Sequence, residues 1–397
     1  MADINGFVEA GFEAVQAAFE RNFAEQAEVG AGLAVRHRGR VVVELSGGLA
    51  DPDAGTPWRP DTLVAIASTT KTMAVVSALL LVERGMLDLD TPIAAYWPEF
   101  AAEGKASITV RMLLSHRSGV VSLAHRPMTY QDLAAGTPIF EAIAAARPEW
   151  EPGTAHGYHG VTIGHTLSAV IQRVTGRTVG PFFATEIAGP LGLDCFVGLP
   201  EAELPRLAKL VMPEVAGDVV LGSQLPEMRG LYKKLEDPDS LTYRAFYGSF
   251  LIGWESVNDP AYVRVEAPST DGVASAVGLA RFFGALIGEV DGIRLLGPEL
   301  VDQARRVHST GLDRVLDLRT DWGLGFMLPG GPFVPAALPA GAFGHGGATG
   351  SFAFADPEHE LAFGYTPNRG SELLEGNDFR VSTLVEAVYG SLPGRTG

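Results

Sequence analysis

Three short stretches carry the residue types that acyl-transfer chemistry needs. The first is Ser68-Thr69-Thr70-Lys71. On a helix, residues three apart share a face, with Cβ atoms about 5–6 Å apart, so this spacing sets a hydroxyl beside an amine. A neutral amine can take the hydroxyl proton and make the serine a nucleophile, provided burial and neighbours lower the lysine pKa. The positive end of a helix dipole would also favour negative charge developing on the serine oxygen. Taken alone, the same four residues also describe an N-cap serine followed by a solvated lysine. The second stretch is the loop Glu151-Pro152-Gly153-Thr154-Ala155-His156-Gly157-Tyr158-His159-Gly160. Tyr158 can serve there as general base or proton shuttle, or pack with its hydroxyl hydrogen-bonded. The third is Phe343-Gly344-His345-Gly346-Gly347-Ala348-Thr349-Gly350-Ser351. Glycines at that density let a ligand approach the backbone, and free N–H groups there can hold an oxyanion. The same stretch also reads as a tight hairpin turn with a structural histidine.

The elements that must position these residues follow from periodicity. Phe7, Ala10, Phe12, Val15, Ala18, Phe19 and Phe23 predict a helix over 6–23. Residues 32–37 and 41–45 predict a β-hairpin across Arg38-Gly39-Arg40. A helix is expected over 69–84, closed by Gly85. Met73, Ala74, Val75, Val76, Leu79, Leu80 and Leu81 make it apolar on most faces, which places it in a domain centre and Lys71 away from the surface. Helices are expected at 110–115, 139–146, 162–175, 275–287, 298–307 and 378–389, and strands at 341–347, 350–355 and 361–366. Residues 205–264 have weak periodicity and many Pro, Asp and Gly residues, the mark of a functional loop or lid. Tyr243, Phe246, Tyr247, Phe250 and Trp254 within that region either line a pocket or form a satellite core.

Strands at both ends with helices between them predict an α/β fold of the α+β type. It has a mainly antiparallel sheet flanked by helices, built from both chain ends, with an inserted helical domain. The expected division is 1–105 with 265–397 for the sheet domain and 106–264 for the helical one.

The 397 residues carry a formal net charge of −17. Such an acidic chain is unsuited to nucleic acid or anionic membranes, which need clustered Lys and Arg. One cysteine, Cys195, excludes an intrachain disulfide and the multi-cysteine zinc sites. His156, His159 and His165 cluster in sequence, but no spaced carboxylate completes a metal site, so they read as loop or core histidines. The apolar run from Met73 to Val82 is far short of the roughly 18 residues of a membrane span. Met1-Ala2-Asp3-Ile4-Asn5-Gly6 lacks the basic start and apolar stretch of a signal peptide. A soluble, cytoplasmic protein is therefore expected. There is no Gly-x-Ser-x-Gly elbow, phosphate-binding glycine loop or His-Glu-x-x-His.

Together, Ser68-Thr69-Thr70-Lys71, Tyr158-His159-Gly160 and His345-Gly346-Gly347 resemble the serine β-lactamase and penicillin-binding-protein superfamily, in its class C-like branch with the family VIII carboxylesterases. Leu113-Leu114-Ser115-His116-Arg117-Ser118-Gly119, Glu151-Pro152-Gly153-Thr154 and Pro190-Leu191-Gly192-Leu193 carry the resemblance across nearly the whole chain. The resemblance implies Ser68 as nucleophile and Lys71 and Tyr158 as the general acid and base between them. It also implies backbone N–H groups of Ser68 and Ala348 as oxyanion hole, and His345, Gly346 and Gly347 against the substrate. No cofactor or metal is implied.

Two positions depart from the pattern. Gly160 stands where β-lactamases of this type have asparagine, and His345 where they have lysine. Histidine is mostly neutral at pH 7, and losing a charge-assisted hydrogen bond costs about 1.5–3 kcal/mol. An acidic β-lactam loses that contact and an uncharged ester loses nothing. The expected activity is thus hydrolysis of short-chain esters through an acyl-enzyme. A β-lactamase or D-amino-acid peptidase, an acyltransferase on the same scaffold and a non-catalytic binding protein are the alternatives.

Overall fold

The computed structural model describes residues 2–212, 226–250, 254–371 and 378–392. The lid expected at 205–264 lies partly outside the described residues, at 213–225 and 251–253.

The main sheet is antiparallel throughout and takes strands from both ends of the chain. Its order is Ile4–Val8, Arg40–Asp51, Gly30–His37, Leu361–Pro367, Phe352–Asp356 and Phe343–Gly346, with a short seventh strand, Thr56–Pro57, pairing with Arg40–Asp51. The expected hairpin forms across Arg38 and Gly39, both at positive φ (51° and 75°), the backbone that two-residue hairpin turns require.

Side-chain alternation sorts the sheet into two faces. Phe352, Phe354, Phe363 and Tyr365 point to one side, where helices Glu13–Glu25 and Phe379–Ser391 cover them through Phe19, Leu384 and Val388. Ala353, Ala355 and Ala362 point to the other. That face is small because helix Ala276–Ile287 lies directly on it: a Cβ on Gly364 would collide with the Ala276 backbone.

The N-terminal expectation is corrected. Residues 4–8 are an edge strand registered on Val43–Gly47, and the helix begins only at Glu13. Gly6 at φ 116° and Gly11 at φ 96° are helix-breaking, and strand pairing outweighs the helical period. Phe7, assigned to the helix stripe by period, is 48 % exposed.

Helix Lys71–Glu83 is buried from Lys71 through Leu81. Each fully buried Leu or Val there contributes about 1.5–3 kcal/mol, which makes this helix a rigid base for the residues at its start. A second, three-stranded sheet, Val64–Ala65, Gly272–Ala274 and Cys195–Val197, sits beside that start. Helix Thr162–Thr175 ends at Gly176 (φ 78°) as expected. No helix among the described residues is long and apolar enough to cross a membrane.

Candidate active site

Ser68 stands in a 3-10 turn, Ala67–Thr70, that runs directly into helix Lys71–Glu83. The expected helix start at 69 is therefore resolved into two segments. Ala67 sits at φ 43°, a backbone region that costs a non-glycine residue about 1–2 kcal/mol. Several bonds hold it there. Ile66 N–H donates to Gly272 O at 2.9 Å, and Ser351 Oγ donates to Ile66 O at 2.8 Å. Gly272 N–H donates to Thr70 Oγ1 at 2.8 Å, and Thr69 Oγ1 meets Ser351 Oγ at 3.0 Å. The serine is thus presented by a strained turn clamped between two sheets.

Lys71 is 1 % exposed. Its Nζ lies 2.9 Å from Ser68 Oγ and donates to Ser269 O at 2.8 Å. Burial drives its pKa well below the ordinary lysine range, and the Asp271 carboxylate offsets part of that fall. The ammonium has no ion-pair partner among the described residues, and the neutral amine is the form this environment favours.

Tyr158 packs over the same amine, with Lys71 Nζ 4.9 Å from its ring centroid. Its ring stacks on Trp322 at 5.2 Å and 8°. Its backbone N–H donates to Asp313 Oδ1 at 3.0 Å, and the same oxygen accepts from Val315 and Leu316 N–H at 2.9 Å. Burial raises the phenol pKa above its ordinary value, and the neighbouring Ser68 hydroxyl opposes the rise. The Tyr158 hydroxyl makes no hydrogen bond of regular geometry, so it is poised beside Ser68 rather than tied to it.

Ser68 and Tyr158 open onto a cavity of about 250 Å³. Gly346, Gly347 and Ala348 form one wall and Phe246, Tyr247 and Phe250 another. The aromatic group is therefore a pocket lining in these three members, while Tyr243 packs on Tyr247 at 5.8 Å and the Trp254 side chain lies outside the described residues. Gly347 must be glycine, because a Cβ would strike the Ile66 carbonyl of the Ser68 turn. Among the described residues neither Ser68 N–H nor Ala348 N–H donates to a protein acceptor, and both residues line the cavity.

His345 is placed differently from the sequence expectation. It is fully buried behind the wall, with its ring 6.1 Å from that of Tyr158 and 6.0 Å from that of Trp322. Nδ1–H donates to Gly346 O at 2.7 Å. Burial and the proximity of Lys71 push its pKa down to about 3. Strand alternation turns its ring into the protein and leaves Gly346 on the wall, so it supplies no charge to the cavity.

Gly160, the other departure, is explained by packing: a Cβ there would run into the Phe246 ring. The clustered histidines are core residues. His159 Nε2 pairs with Ser118 Oγ at 2.5 Å and His156 Nε2 with Thr320 Oγ1 at 3.0 Å, while His165 stacks on Phe250 at 6.0 Å. Cys195 is a buried thiol whose pKa burial raises. Ser269, Asp271, Asp313 and Trp322 are the site neighbours that sequence reasoning missed. They lie in segments without a motif, and nothing in local spacing ties them to Ser68.

The Beta-lactamase family model matches residues 15–383. This chain belongs to the Beta-lactamase family. Its relatives include the esterase/beta-lactamase LipL of Mycobacterium tuberculosis, 35 % identical over 92 % of this chain and 82 % of that protein. Among solved structures, a family VIII carboxylesterase superposes with TM-score 0.86 at 33 % identity, covering 98 % of this chain and 100 % of the other. A penicillin-binding protein homologue from Caulobacter crescentus superposes with TM-score 0.84 at 36 % identity, over 98 % and 100 %. The mixed α/β fold with antiparallel sheets is the one these neighbours share, and the chain is a serine hydrolase of that fold.

Proposed function

We propose that this chain is a carboxylesterase that cleaves short-chain esters through an acyl-enzyme on Ser68. The observation that carries the reading is the 2.9 Å contact between Ser68 Oγ and a buried Lys71 amine at the floor of a largely apolar cavity. With Lys71 neutral, the Ser68 hydroxyl donates to the Nζ lone pair while an amine hydrogen holds Ser269 O.

Ser68 Oγ attacks the ester carbonyl as its proton passes to Lys71. Ser68 N–H and Ala348 N–H receive the oxyanion, each donor contributing about 2.7–4 kcal/mol to such a transition state. The C–O bond to the alcohol then breaks. Tyr158, a protonated phenol in the resting site, gives its proton to the departing alkoxide and regains one from Lys71. Water repeats the sequence on the acyl-enzyme and releases the acid. Gly346 and Gly347 bound the acyl group. We assign His345 to support of the Tyr158 ring rather than to substrate. In the expected two-part division, 1–105 with 265–397 supplies Ser68, Lys71 and the Gly346–Ala348 wall, and 106–264 supplies Tyr158 and the aromatic wall.

The charge pattern favours esters over β-lactams. Among the described residues lining the cavity, Asp271 and Asp378 are charged and no cation is present. Arg380 pairs with Asp378, so a substrate carboxylate would meet repulsion from Asp271, which has no ion pair among the described residues. The test is hydrolysis of p-nitrophenyl butyrate and of a chromogenic cephalosporin by the wild type and Ser68→Ala. Ester cleavage that disappears in the variant, with little cephalosporin turnover, is expected. Ester turnover that survives Ser68→Ala, or faster cephalosporin turnover, refutes the reading.

A further inference from the structure

Asp271 lines the cavity near Ser68, in the segment whose neighbours Ser269 and Gly272 bond Lys71 and Ile66. It is 5 % exposed. Tyr262 Oη donates to its Oδ2 at 2.6 Å and Thr270 Oγ1 at 2.9 Å. Among the described residues its other oxygen, Oδ1, accepts no hydrogen bond. Among the described residues Asp271 forms no ion pair. The second carboxylate of the lining is different: Arg380 saturates Asp378 through Nε at 2.9 Å and Nη2 at 2.5 Å.

A carboxylate held through one oxygen by two hydroxyls, in the lining of a largely apolar cavity, is costly to leave unpaired. A cationic ligand group removes that cost. We infer that Asp271 is a docking carboxylate for an ammonium group, and that the esters this cavity accepts best carry one on the acyl chain or on the alcohol. The specificity part rests on the esterase reading; the binding part does not.

Two hydroxyl contacts persist in Asp271→Asn, so this variant removes the charge and keeps the shape. Burial pushes the Asp271 pKa up to about 6, so at pH 8 the carboxylate is ionised and an alkylammonium is protonated. The first readout is calorimetric binding of n-hexylammonium and of 1-hexanol to the wild type, Asp271→Asn and Asp271→Glu. Loss of at least about tenfold in n-hexylammonium affinity in Asp271→Asn, with 1-hexanol unchanged, is expected for a lost charge-assisted contact. Asp271→Glu should recover part of it. Equal n-hexylammonium affinity in the wild type and Asp271→Asn overturns the inference. The second readout is the ratio of kcat/KM for ethyl 3-aminopropanoate to that for its neutral isostere ethyl butanoate. Effects on Lys71 cancel in this ratio, which should fall at least about tenfold in Asp271→Asn; an unchanged ratio overturns the specificity part. If the wild type hydrolyses neither ester, the esterase reading fails, and the binding contrast still decides the role of Asp271.

Discussion

The phenyl ring of Phe246 fills the space that any side chain on residue 160 would need. The asparagine absent from this position is therefore not a simple deletion of function. An aromatic wall from a segment 86 positions later in the chain has replaced it. Gly160→Asn alone should overpack the cavity and cost about 1–3 kcal/mol. Pairing it with Phe246→Ala should restore most of that loss, which thermal unfolding of the two variants measures. Additive losses would mean that the two residues do not share this space.

The pH profile follows from two opposed shifts. Lys71 is pushed well below the ordinary lysine value of 10.5, so its neutral, proton-accepting form extends to lower pH than in a free lysine. Tyr158 is pushed above its ordinary 10.0, so it keeps the proton it must donate. Ester kcat should rise on an acidic limb well below the lysine value and hold through the ordinary tyrosine range. Lys71→Arg, with a group that stays protonated, should abolish turnover. Tyr158→Phe should slow kcat by about 10²–10⁴. A pH–rate series on these proteins measures all three effects.

Asp313 acts at a distance from the chemistry. Its Oδ1 gathers N–H groups of Tyr158, Val315 and Leu316 and fixes the loop that carries the Tyr158 ring. Asp313→Ala should destabilise the fold by at least roughly 1.5–3 kcal/mol, the value of one bond to a charged group. It should lower kcat more than it raises KM, because the cavity walls that bind substrate stay in place. Urea unfolding and steady-state kinetics separate the two effects.

Strain at Ala67 gives an opposite sign. Ala67→Gly removes the left-handed penalty of about 1–2 kcal/mol but loosens the backbone before Ser68. Raised thermal stability or little net change, together with reduced kcat, is expected. A variant at least as active as the wild type would show that the strain has no part in presenting Ser68.

What the sequence determined by itself was local. Ser68 and Lys71 are three residues apart, so any helical turn brings them together, and burial of the lysine follows from the apolar residues after it. Alternation and turn chemistry marked the central hairpin, the three C-terminal strands and most helices. The Tyr158 loop and the Gly346–Ala348 wall were legible as motifs. Tertiary structure decided the rest, because those contacts join segments with no common spacing. Ser269 O reaches Lys71 across 198 positions, Asp271 comes to the cavity on the same segment, and Asp313 reaches Tyr158 across 155. His345 shows the limit most clearly. Its place in the motif put it against the substrate, but strand alternation turned its ring into the protein and left Gly346 on the wall. Residues 4–8 show the same limit in the fold: their helical period was real, but an open sheet edge with unpaired N–H and C=O groups claimed them as a strand.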